Sequence, residues 1–466
     1  MIEKPETRSR QIFKILWSIA LFVFIIAGTF VIVSIGQGYR YDPTTGSVVQ
    51  NGLLILDSKP NAANVIINDV PLNIQTSDSV SLPPGVHSVR LQKEGFREWA
   101  KSIKLASSEV MVVNYPLLFP EKLETKPVLA FSENSSIYMG PSNRQFMVAD
   151  AGRVRVFSVT TPTAPPKSYE FADPKVTATD ISWSRAGNVA LITTSDQKRY
   201  LFRDDADEQL TDITTRMNGI QSFEWFEQSS REIVYLNSEN KTLYSFDLLS
   251  SELPSVITEN VVRYTTGRGG IAAIVNTPAS VTATDSRLLL LDGRGETLAA
   301  SLKDFKKISQ LYVGSFENKN YIAYSIGDQV KVSIPNTEPK LDIEFTLPIG
   351  AEGFYASDND RFLLAQKGNS FASIDIDERD ISSFTLDSST LSNIRAVGHG
   401  RFLAVADGKL VSFEFDGANK VTIGDASNFP VCIDTDESKI LSFLLPKNST
   451  TYNLQSTSLL LPSATQ

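Results

Sequence analysis

Apolar runs begin at Phe146, Val189, Ile233, Ile271, Tyr321, Phe362, Phe402 and Ile440, at a spacing that averages 42 residues. A chain that repeats at a fixed period is built from stacked supersecondary units, and roughly 40–45 residues is the length of a four-stranded propeller blade. Before these runs stand an aromatic or polar strand and a turn, as in Ile181-Ser-Trp183-Ser-Arg185-Ala-Gly187, Phe223-Glu-Trp225-Phe-Glu227 and Ile433-Asp-Thr-Asp-Glu-Ser438. A third strand follows most of them, as at Arg153 to Phe157, Leu243 to Phe246 and Leu410 to Phe413. Eight such units fill residues 128 to 466, so residues 126–466 are expected to form an eight-bladed β-propeller, or a seven-bladed one if a unit is degenerate. Radial repetition suits an all-β chain because it hides sheet edges that would otherwise pair with other molecules. Val128 to Phe131 and Ser458 to Leu461 are the apolar end segments expected to share the closing blade.

At the other end, Ile15 to Ile35 carries no charge over 21 residues. As a helix it would reach roughly 31 Å, the thickness of a hydrocarbon core. Trp17 on one side and Tyr39 and Tyr41 on the other suit the two interfaces. Lys4, Arg8, Arg10 and Lys14 precede the stretch, whereas only Arg40 follows it closely, so the positive-inside bias sets the N-terminus in the cytoplasm and the bulk outside. A cleaved signal peptide is the rival reading, but its apolar region is typically about 7–15 residues with a small-residue exit, and neither condition is met. Residues 1–14 are expected to be a disordered cytoplasmic tail, residues 15–35 a plasma-membrane helix, and residues 36–51, with Gly36, Gly38, Pro43 and Gly46, a linker.

Residues 52–119 read as a small antiparallel β-sandwich, with short Val, Ile and Leu runs broken by Pro, Gly, Asn and Asp. Three blocks stand in order: Gly52 to Asn68 with Ser58-Lys-Pro60-Asn-Ala-Ala63 inside it, Leu82-Pro-Pro84-Gly85-Val-His87, and Lys93-Glu-Gly95-Phe96. Together they resemble the PEGA domain, a β-module that is usually extracytoplasmic and often coupled to other domains. The segment that gives the family its name here reads Pro60-Asn61-Ala62-Ala63, and loss of its glycine predicts that the first hairpin bends differently. The strand-turn-strand phrase of the long repeat resembles the WD40-like repeats of TolB-type propellers, a likeness that bears on fold more than on role.

A net charge of −9 argues against broad nucleic-acid binding, and a lone Cys432 excludes an intramolecular disulfide. Asn134, Asn240 and Asn448 open N-x-S/T triplets of the kind chance supplies. No zinc, phosphate-loop or nucleophile-elbow signature occurs, and Gly267-Arg-Gly-Gly-Ile-Ala272 lies between two strands, where no helix dipole would serve a pyrophosphate. No catalytic residue, cofactor or metal site is therefore expected. Four acidic clusters, at 204–208, 358–360, 375–380 and 434–437, read as turns in which Asp and Asn bond their own backbone, with Asp375, Asp377 and Asp380 the metal candidates otherwise. His87 reads as the start of a strand after a Pro-Gly turn, His399 as a turn residue between two glycines, and Cys432 as a small core residue.

These features lead to a membrane-anchored extracytoplasmic binding or scaffold protein of the cell envelope, not an enzyme, whose propeller face takes a protein or polysaccharide partner. The alternatives are a glycan-active enzyme with carboxylates and His399 in the channel, and a TolB-like envelope assembly factor.

Overall fold

The computed structural model describes residues 8–36, 38–42, 46–141, 143–204, 210–227, 229–276, 286–301, 307–335, 341–398, 400–434, 436, 438–447 and 449–461. The chain divides into two compact units, Met1–Leu118 and Phe119–Gln466.

The first unit opens with one helix, Arg8–Gly36, whose window Leu16–Gly36 is long and apolar enough to cross a bilayer. The helix begins inside the stretch expected to be disordered. Once a long helix exists, each added residue gains a hydrogen bond without a new nucleus, and nothing between Arg8 and Lys14 breaks it. The expected linker is likewise partly ordered, because Tyr39–Asp42 and Ser47–Gln50 pair as a two-stranded hairpin.

Seven strands follow in two sheets. Asn64–Ile67, Val70–Gln75, Gly85–Gln92 and Trp99–Leu105 form an antiparallel sheet, and Gly52–Leu56 lies between Asp78–Leu82 and Val110–Val113 in a second. The pairing of Gly52–Leu56 with Val110–Val113 is parallel, so the sandwich is mixed, where a wholly antiparallel one was expected. Alternation along the strands places Leu54, Leu56, Val65, Ile67, Val89, Leu91, Trp99 and Ile103 in one shared core. Ala62 adopts φ +57°, so the first turn keeps a left-handed residue even though alanine stands there.

Eight four-stranded antiparallel sheets make up the second unit among the described residues, each a meander of consecutive strands except the last. Their innermost strands are Ser136–Met139, Ala178–Trp183, Glu224–Trp225, Val261–Gly267, Ile308–Phe316, Gly353–Ala356, Leu391–Val397 and Cys432–Ile433. The eight apolar runs are the second strands. Phe362 to Ala365 and Phe402 to Val405 are buried at every position, because neighbouring sheets cover both faces and no alternation is needed.

The sheets stack face to face in sequence order. Tyr321, Val332, Leu363 and Ile374 join the fifth to the sixth, and Phe371 meets Phe413 of the seventh at 5.7 Å. The ring closes where Phe443 and Cys432 of the eighth sheet share a core with Phe146 and Phe157 of the first. Closure is also made by hydrogen bonds: Glu124–Ser132 is the outer strand of the eighth sheet, paired with Thr451–Ser458. The N-terminal partner is the expected one, but the C-terminal strand lies upstream of Leu459 to Leu461. Tyr452 and Leu454 alternate with polar neighbours there, which marks a one-faced strand better than the short apolar tail does. This closed succession of stacked four-stranded sheets is a β-propeller.

Candidate functional site

Each inner strand turns back into a buried second strand, and these turns carry charge at one end of the channel that the inner strands enclose. Asp360, in the turn of the sixth sheet, is fully buried. Its Oδ1 accepts the Tyr312 hydroxyl at 3.1 Å and its Oδ2 accepts the Ser315 N–H at 3.1 Å, both from the fifth sheet. Arg185 of the second sheet and Arg268 of the fourth each bring a guanidinium nitrogen to 3.7 Å of this carboxylate. Arg185 also pairs with Glu227 of the third sheet, and Arg268 donates to the Asp358 carbonyl at 2.5 Å. Two guanidiniums and two carboxylates from four turns thus neutralise one another. Burial pulls the Arg185 pKa down, but Glu227 and Asp360 together carry it above the ordinary guanidinium value. Burial raises the Glu227 pKa against the opposing pull of Arg185, and burial with the nearby Asp360 charge keeps Tyr312 protonated well above the usual phenol range.

Two cavities open beside this cluster, of about 620 and 610 Å³, sharing Pro141, Ser182, Trp183 and Asp358 in their walls. The first is walled further by Met139, Ile181, Tyr355, Ile394, Arg395 and Val431, the second by Asn143, Arg185, Phe223, Glu224, Trp225, Glu227 and Thr266. Trp225 donates its indole N–H to Ser182 Oγ at 3.0 Å, whereas the Trp183 indole N–H is buried with no acceptor among the described residues. Glu224 accepts from the Thr266 N–H at 2.7 Å and Thr265 Oγ at 3.1 Å; burial still raises its pKa.

The glycines of the Gly267 to Ala272 segment bring two inner strands together. A Cβ on Gly267 would stand 1.9 Å from the Val313 carbonyl oxygen, which is why the fourth and fifth sheets can approach so closely here. The segment is a strand-to-strand turn, as its position in the repeat implies.

The metal candidates do not converge. Asp375 is bound by Arg361, with contacts of 3.1, 3.2 and 2.9 Å, and its Oδ1 caps the Asp377 N–H at 3.0 Å. No group of three His, Cys, Asp or Glu side chains among the described residues could hold a metal. The same clasp recurs one sheet later, where Arg401 donates to Glu414 at 3.1 Å, both buried. Asp434 caps its own turn through the Ser438 and Lys439 N–H groups, and Asp204 pairs with Lys167 at 2.9 Å. His87 is buried in the sandwich: Nε2 donates to the Pro83 carbonyl at 2.7 Å, which leaves Nδ1 to accept from Asn68 at 3.0 Å. Cys432 is a buried core thiol, its pKa pushed up by burial to about 12. His399 lies outside the described residues, as do residues 205–208 of the first acidic cluster and Asn448.

Sequence reasoning did not single out Arg185, Glu227, Arg268, Asp360 or Arg395 as a group. A signal existed in the repeat, since four of them stand in the turn between an inner strand and its apolar run.

Residues 51–118 match the PEGA domain family. No curated protein matches the chain. Among solved structures it is similar to the C-terminal WD40 domain of Sif2, at 11% identity and TM-score 0.45, covering 73% of this chain and 99% of that one. It is also similar to the Dos1 propeller, at 12% and 0.45 over 72% and 95%. A third is PorZ, a surface component of the type-IX secretion system of Porphyromonas gingivalis, at 11% and 0.40 over 70% and 43%. The chain therefore joins an apolar N-terminal helix to a PEGA domain and a β-propeller.

Proposed function

We propose that this chain is a single-pass plasma-membrane protein, N-terminus in the cytoplasm, that displays its PEGA domain and propeller outside the membrane as a non-catalytic binding or scaffold module of the cell envelope. One observation carries this reading: the channel mouth is walled by Trp183, Phe223, Trp225 and Tyr355, while Glu227 and Asp360 are occupied by arginines. Aromatic faces supply large, rigid contact area to a peptide or a sugar ring. Glycoside hydrolysis instead needs two carboxylates free to change protonation or attack. The partner is an envelope protein or polysaccharide, and turns presented by a rigid ring suit that task.

A pull-down after crosslinking in intact cells tests it, comparing the full chain with one carrying Phe223→Ser and Tyr355→Ser. A saturable partner lost with these changes supports the reading; the same partner captured by both chains contradicts it.

Glu224 favours a second reading, since a buried carboxylate of raised pKa on a cavity wall is the form a general acid takes. Turnover of envelope polysaccharides by the purified chain, abolished by Glu224→Gln, would establish that enzyme and displace the binding module.

A further inference from the structure

The geometry points to the cavity beside Arg395 as a site for an α-carboxylate joined to an apolar or aromatic side chain. The inference rests on reading the channel mouth as a binding face, and it names the chemistry that face takes. Arg395 stands on the inner strand Leu391–Val397, just after a register irregularity between Ser392 and Arg395 where Asn393 takes φ +50°. Such an irregularity re-aims a side chain, and here it sets the guanidinium in the cavity wall.

Among the described residues its hydrogen bond is to the Gly140 carbonyl, at 2.6 Å, and no carboxylate lies at ion-pair distance. Arg185, Arg361 and Arg401 each have one. A guanidinium offers five N–H donors in a fork that matches a carboxylate, so most of this one's capacity is unused. Burial lowers its pKa below the ordinary guanidinium value, and Asp358 opposes that only in part. Trp183 adds its ring to the same wall, with its indole N–H turned into the protein and buried.

Tyr355, Met139, Ile394 and Val431 supply the apolar remainder of the wall. Asp358, also on the wall, disfavours a dianion such as phosphate and tolerates a monoanion or a zwitterion. A volume of about 620 Å³ accommodates a single amino acid or the last residue of a peptide.

Isothermal titration of the full chain in detergent micelles decides the matter, with phenylalanine, N-acetylphenylalanine, phenylalaninamide and inorganic phosphate as probes. The acids are expected to bind at least about tenfold more tightly than the amide or phosphate, a difference of about 1.4 kcal/mol. Arg395→Met should weaken the acids roughly ten- to hundredfold, and Arg395→Lys should recover part of that loss. Tighter binding of phenylalanine than of its N-acetyl form assigns a free amino acid with its ammonium toward Asp358; the reverse order assigns a peptide C-terminus. Acid and amide binding alike, or no probe binding the unaltered chain, overturns the inference, and that comparison does not depend on any variant folding. A partner captured at the channel mouth in cells, together with no carboxylate preference in titration, removes this inference alone and leaves the binding module standing.

Discussion

Two sides of one channel mouth use arginine differently. On one side, Arg185 and Arg268 converge on Glu227 and Asp360, and the charges of four sheets cancel. On the other, Arg395 reaches the wall of a cavity with a backbone carbonyl as its partner. The first arrangement ties neighbouring turns of the ring together and leaves little charge for a ligand. The second holds a cation in a partly desolvated place where an incoming anion would complete it. Burial of an arginine is thus structural or functional according to whether the fold supplies its counter-charge.

Asp360→Asn should break the paired side most severely. Asparagine tolerates the φ of +60° found there, so the change isolates the charge. Removing one partner of a buried pair costs about 3–5 kcal/mol. Arg185 and Arg268 keep 30% and 38% of their side-chain surface exposed, which lowers the expected loss to about 2–4 kcal/mol in urea unfolding. A loss under about 0.5 kcal/mol, the range of an ordinary surface change, would make the two sides alike.

Arg395→Met should change stability by less than about 1 kcal/mol, because the lost hydrogen bond to Gly140 is offset by removing an uncompensated charge. A loss as large as that of Asp360→Asn would mean that Arg395 is structural too.

Ala62→Gly, in the PEGA domain, should stabilise by about 0.5–1 kcal/mol, since glycine adopts the left-handed conformation of this exposed turn without penalty. Thermal unfolding reads it, and its independence of changes at the channel mouth provides a control for both sides.

The smallest effect concerns pH. Glu224 and Glu227 have folded-state pKa values raised above the ordinary 4.5. Between that value and the raised ones the folded chain holds more protons than the unfolded chain, so their contribution to stability falls as pH rises through the window. Glu224→Gln should flatten that part of the curve, measured by urea midpoints from mildly acid to neutral pH; an unchanged slope would show that Glu224 ionises freely.

The propeller was legible because its second strands are covered on both faces and so read as continuous apolar runs, at Ile271 to Val275 as at Phe402 to Val405. The PEGA domain was legible in its turns, whose Pro and Gly spacing survives the change at Ala62. The channel mouth was not. Arg185 and Glu227 lie 42 residues apart and meet only because consecutive sheets stack, and Arg185 reaches Asp360 of the sixth sheet only because the stack curves into a ring. A charge in a turn ordinarily signals solvent, and nothing local distinguishes Asp360, which is buried, from Asp328, which is exposed. The strand Val110–Val113 was legible as an apolar run, but its parallel pairing was hidden, because strand direction depends on where the chain returns and not on local pattern.

Site-specific photo-crosslinking in intact cells bears most directly on the central claim that the channel mouth is the binding face. A crosslinking residue would replace Tyr355 at the mouth in one version of the full chain, and in another Glu239, an exposed residue in the turn between the second and third strands of the third sheet, at the opposite end of that sheet from the turn carrying Glu227. A discrete adduct is expected from position 355 and none from position 239. An adduct from position 239 alone would place the partner elsewhere on the propeller and contradict the claim.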